Sequence, residues 1–98
     1  MAIMEIILSP RGGPGVSLST YIARAMHVID EAGLPHETHA MGTNVEGSAE
    51  ELFRVAEKMH DAAFGDEISR VVTTIKFDDR RDKEVHLADK PAALARKL

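Results

Sequence analysis

The stretch VVTTIKF, residues 71–77, decides how this chain is read. It is dense in β-branched side chains, which are stiff at χ1 and suit a pleated surface better than a helix. Its residues alternate, with Val71, Thr73, Ile75 and Phe77 on one side and Val72, Thr74, Lys76 and Asp78 on the other. That period of two predicts a strand with one packed face. Upstream, a break at Gly65 and Asp66 separates it from Leu52, Val55, Ala56, Met59 and Ala63, which recur at helical spacing. Ser48, with Glu51 three residues on, supplies a capping-box start for that helix.

Further upstream, His36 to Val45 has no helical period. It carries Thr38, Thr43 and Val45 around a break at Met41 and Gly42, which predicts a hairpin of two short strands. Between Ser19 and Ala32, the residues Ile22, Ala25, Met26, Ile29 and Ala32 mark an amphipathic helix. Ser17 or Ser19 can cap its start, and Gly33 followed by Pro35 ends it. Ile3 to Leu8 reads as the first strand, running into Ser9, Pro10 and the glycines Gly12, Gly13 and Gly15. Downstream, Asp78 to Glu84 is a charge-rich connector. Ala88 to Leu98 reads as a helix whose Pro91 is tolerable only in the first turn. The order strand, helix, strand, strand, helix, strand predicts an α+β fold, a ferredoxin-like βαββαβ sandwich with a C-terminal helix.

Length and composition bound the rest. Ninety-eight residues suffice for one core, so residues 1–98 are expected to form a single domain. The chain has no cysteine, which excludes disulfides, thiolate metal sites and a cysteine nucleophile. Twelve basic against sixteen acidic residues give a formal charge of −4, which argues against nucleic acid as a partner. The apolar opening, Met1 to Leu8, contains Glu5 and is far shorter than the ~20 residues a membrane span needs. No export signal is recognisable, so the cytoplasm is the expected compartment.

If Met4, Ile6, Leu8, Ile75 and Phe77 face the helices, Ile3, Ile7 and Val72 lie on an uncovered second sheet face. Burying that face against another copy would contribute roughly 25 cal/mol per Å² of apolar surface, so self-association to a dimer or tetramer is expected.

Polar residues near the helix starts are the binding candidates. Ser17, Ser19 and Thr20 stand where a helix presents unpaired amides, a place where hydroxyl residues also serve as ordinary caps. Thr43, Asn44 and Glu46 combine two neutral hydrogen-bonding groups with a carboxylate, a set suited to an aminopyrimidine as well as to a plain polar hairpin. Glu46 would accept from a ring nitrogen or offset a thiazolium charge. Thr74 and Lys76 share the outward strand face. The glycine loop lacks the spacing and lysine of a nucleotide-binding P-loop. Among five histidines, His36 and His39 differ by an odd number and so point to opposite faces of a regular strand. No metal site, cofactor or catalytic residue is expected, and the mixed run Asp78 to Lys83 reads as a solvated turn or intersubunit ion pairs.

Several segments converge on a family: Met1 to Ile7, Ser17 to Ala23, Met41 to Gly47 with MGTNVEG, and the stretch RVVTTIKFDDRRDK. With these, essentially the whole chain resembles the thiamine-binding protein family. The resemblance implies a ferredoxin-like domain that assembles into dimers and tetramers. It also implies that thiamine or its hydroxymethylpyrimidine half is held near subunit boundaries without being transformed. Carried over, the ligand-facing residues are Ser17, Ser19, Thr43, Glu46 and Thr74. The loop Pro10 to Gly15 is richer in proline and glycine than the family's usual first loop, and Asn44 stands where an aliphatic residue is common. Two alternatives stand beside binding. One is a phosphate-loop hydrolase resembling small acylphosphatases, using Arg11 with Asn44. The other is a purely structural or regulatory interaction domain.

Overall fold

The computed structural model describes residues 1–13, 15 and 17–97. Strand β1 (Ala2–Arg11) leads to helix α1 (Leu18–Ala32), then strands β2 (His36–His39) and β3 (Gly42–Gly47). Helix α2 (Ala49–Ala62), strand β4 (Arg70–Asp79) and helix α3 (Asp89–Lys97) complete the chain. The strands form one antiparallel sheet in the order β2-β3-β1-β4, so the expected ferredoxin-like α+β sandwich with a C-terminal helix is present.

Alternation in β1 sets the layering. Ala2, Met4 and Ile6 are buried beneath the helices together with Val45 of β3. Ala25 and Ile29 of α1 and Leu52, Val55, Ala56 and Met59 of α2 close the core from above. Ile22, expected on the same helix face, instead borders a cavity beside the hairpin tip and is 39% exposed.

The start of α2 and the end of α1 follow local chemistry. Ser48 Oγ accepts from the Glu51 amide at 3.2 Å while the Glu51 carboxylate accepts from the Ser48 amide at 3.0 Å, completing the capping box. Gly33 adopts φ +69°, the left-handed conformation that closes α1. Ser17 occupies the cap position of α1, yet its hydroxyl caps no amide and lies 3.1 Å from the Ser19 hydroxyl.

Strand β1 runs past the point where Ser9 and Pro10 were expected to end it, and pairs with β4 as far as Arg11 opposite Arg70. The reason is positional: β3 pairs with β1 only up to Thr43 opposite Ile6, so beyond that β1 has one free side. A proline without an amide donor is tolerated on such an edge. Pro14 and Val16 of the glycine-rich loop lie outside the described residues. Among the described residues no helix is long and apolar enough to cross a membrane.

Candidate functional site

The register fixes which residues face away from the helices. Ile3 and Glu5 of β1 align with Glu46 and Asn44 of β3, and Ile3, Glu5 and Ile7 align with Asp78, Lys76 and Thr74 of β4. Because directly opposed residues of an antiparallel pair share a face, all of these lie on the second sheet face, joined by Glu37 and His39 of β2.

That face is not bare, contrary to the sequence-based expectation. Residues 85–89 and the first turn of α3 lie over one end of it, and Leu87 and Pro91 roof a groove floored by the sheet. The reason is a tether. Glu46, only 6% exposed, accepts a hydrogen bond from the Leu87 amide at 2.8 Å, and its other oxygen lies 2.7 Å from His86 Nδ1. The Leu87 amide, and then the His86 imidazole, hold the Glu46 carboxyl below its ordinary range. In return the hydrogen bond to Glu46 raises the affinity of His86 for its proton. The Asp89 carboxylate accepts from the His86 amide at 2.8 Å and stiffens the turn into α3.

The groove measures about 330 Å³ and is lined by Ile3, Glu5, Glu37, Asn44, Lys76, Asp78, Leu87 and Pro91. Asn44 sits at its polar centre: its Nδ2 donates to Glu37 Oε1 at 3.1 Å, and its Oδ1 lies 3.4 Å from His39 Nε2. His39 Nε2 is also 3.6 Å from Glu5. Three carboxylates against one lysine make the lining acidic, between apolar walls from Ile3, Leu87 and Pro91. Such a recess is equipped to hold a small, flat, cationic or amine-bearing heterocycle by hydrogen bonds and charge.

The five expected ligand residues do not meet at one place within the chain. Glu46 and Thr74 are on the grooved face, Glu46 as the anchor of the roof. Thr43 is not: it faces the helices, 4% exposed, with its hydroxyl donating to Met26 Sδ at 3.6 Å. Thr43 and Glu46 are three residues apart on one strand, and an odd separation puts them on opposite faces. Ser17 and Ser19 are exposed at the start of α1, beyond the Arg11 end of β1, whereas Glu46 aligns with Ile3. Eight strand positions, ~26 Å, separate those two ends.

The same ruler bears on the hydrolase alternative. Asn44 aligns with Glu5, six positions or ~20 Å along β1 from Arg11, so the two do not converge on one phosphate. Sequence reasoning missed Glu5, Glu37, Leu87 and Pro91 as lining residues. An acid inside the aliphatic run IMEII was the one available signal for Glu5. His36 and His39 do fall on opposite faces, aligned with Val45 and Gly42. Among the described residues no group of three or more His, Asp or Glu is placed to hold a metal ion.

Known proteins share this architecture. A UPF0045 protein of Staphylococcus xylosus is 34% identical over 102 aligned residues, covering all of this chain and 95% of the relative. The crystal structure of the hypothetical protein MJ1052 from Methanocaldococcus jannaschii superposes with a TM-score of 0.85 at 34% identity, covering 96% of this chain and 95% of that one. The fold is shared also with a candidate thiamine biosynthesis/salvage protein of Thermotoga maritima, at a TM-score of 0.79 and 22% identity, covering 95% and 97% of the two chains. The family model described as thiamine-binding protein matches residues 4–95, all but the outermost residues of the sandwich and its roof. With the βαββαβ topology, the matched span and full-length relatives in agreement, this chain belongs to the thiamine-binding protein family.

Proposed function

We propose that this chain binds thiamine or its hydroxymethylpyrimidine half, without transforming it, at a cleft on a subunit boundary, and serves as a cytoplasmic carrier or sensor. One observation carries the choice of place: the roofed groove pairs an amide centre, Asn44, with an excess of carboxylates and three apolar walls. An aminopyrimidine offers donors and acceptors to such an amide, and a thiazolium cation is favoured by Glu5, Glu37 and Asp78 around it. The groove volume of about 330 Å³ falls in the range of small-molecule sites. Membership of the family and the salvage assignment of the Thermotoga maritima protein support the same ligand class.

In this reading Glu46 and Thr74 border the ligand from the sheet. Ser17 and Ser19 join them only from a neighbouring copy in a dimer or tetramer, and Thr43 contributes by fixing β3 from beneath. Calorimetric titration of the folded protein with thiamine, its phosphates and hydroxymethylpyrimidine is the test. Binding is expected, with Asn44→Ala weakening it about tenfold, the equivalent of one lost hydrogen bond. An absence of heat with all of these compounds sinks the ligand assignment and leaves the fold untouched.

A further inference from the structure

A second recess, of about 330 Å³, lies between α3 and the connector that follows β4. Asp89, Ala92, Ala93 and Arg96 face it at helical spacing, whereas Pro91, which roofs the groove, belongs to another side of the helix. The charge of this recess is the reverse of the groove's. Its charged lining is Arg80, Lys83 and Arg96 with Glu84 and Asp89. Both acids are engaged with His86: Glu84 Oε1 lies 3.7 Å from its Nε2, and Asp89 accepts from its amide at 2.8 Å. Arg80 is committed as well, donating to the two oxygens of Asp82 at 2.7 and 3.0 Å. Lys83 and Arg96 are exposed and, among the described residues, form no hydrogen bond or ion pair, although the Lys83 charge acts on Asp82 from further off. Two cations are thus open to an incoming anion.

Recess and groove communicate. A smaller cavity of about 100 Å³ is lined by Ile3 and Asp78, which also line the groove, and by Arg80 and Val85, which also line the recess. Asp78 and Arg80 are two residues apart, so the change of sign falls within at most ~7 Å of chain. A ligand that is only a cation fills one end of this path. A ligand that carries a cation and, on a short arm, a phosphate fills both, because a phosphate dianion engages a guanidinium and an ammonium together. Resting on the reading that the groove holds the ring system of thiamine, we propose that the basic recess is the phosphate subsite of the same site. The preferred ligand is then a phosphate ester of thiamine, its thiazolium among the carboxylates over the sheet and its phosphate between Lys83 and Arg96. The hydroxyethyl arm of the ester runs through the cavity between Asp78 and Arg80.

Calorimetric titration with thiamine, thiamine monophosphate and thiamine diphosphate, on the native chain and on a variant carrying both Lys83→Ala and Arg96→Ala, is the test. The native chain is expected to bind the two esters about tenfold or more tighter than thiamine, a gain that shrinks as salt is raised. The double variant should lose that gain and keep its affinity for thiamine, which also shows that it is folded. Inorganic pyrophosphate should compete with the diphosphate ester and leave bound thiamine in place. Thiamine that binds as tightly as its esters overturns the phosphate subsite and leaves the ring site standing. An ester advantage that survives in the double variant overturns it too, as does displacement of thiamine by pyrophosphate. Failure of all three compounds to bind the native chain is a different result, which removes the ring site and the subsite together.

Discussion

Glu46 is a carboxylate whose neighbours set both its charge and the position of a distant segment. Its pKa lies below the ordinary 4.5 because the Leu87 amide and then His86 bond to it, so this contribution is complete above about 4.5 and is lost as pH falls through the lowered value. The pKa of His86 lies above its ordinary 6.5 through the bond to Glu46. That contribution is complete below about 6.5 and is lost as pH rises through the raised value. The roof should therefore be held most firmly between those two ordinary values. Amide hydrogen exchange at Leu87, corrected for its intrinsic pH dependence, is expected to be slowest in that window and to speed up on the alkaline side. His86→Ala should abolish the alkaline limb and keep the acid one, and protection that ignores pH would disprove the tether. No local pattern foretold this contact, because forty residues separate Glu46 from His86 and only the folded sheet brings them together.

At the scale of elements, two serines at helix starts have different consequences. Ser48 exchanges hydrogen bonds with Glu51, so Ser48→Ala should cost about 1 kcal/mol in urea denaturation. Ser17 caps no amide of α1, so Ser17→Ala should leave the midpoint nearly unchanged. Equal losses from both would mean that the first helix is capped after all. Ser48 was readable because its partner sits at a fixed spacing of three. Ser17 shared the residue type and lacked that partner. The strands were readable from alternation, and their lengths were not: β1 and β4 extend each other through Pro10 and Arg11, a pairing that one strand's residues do not encode alone. The parity rule that separated His36 from His39 also separates Thr43 from Glu46, so that part of the site was within reach of the sequence.

Over the whole molecule, one core ties both helices to the sheet through few large side chains. Leu52 is fully buried among Met4, Ile29, Val45 and Met59. Leu52→Ala should cost ~2–5 kcal/mol, a large share of the ~5–15 kcal/mol expected of a domain this size. Thermal unfolding followed by circular dichroism would measure it, and a change under 1 kcal/mol would mean that the cluster repacks freely. The layer order and the core were legible because apolar periodicity is a property of each segment. The roofed groove was not, since its lining draws on four strands and a segment that follows the last of them. That arrangement separates floor from cover along the chain. All four strands are complete at Asp79, and the residues that cover the sheet come afterwards. The covering segment contributes no strand, so its detachment would uncover the groove without breaking any strand pairing of the floor.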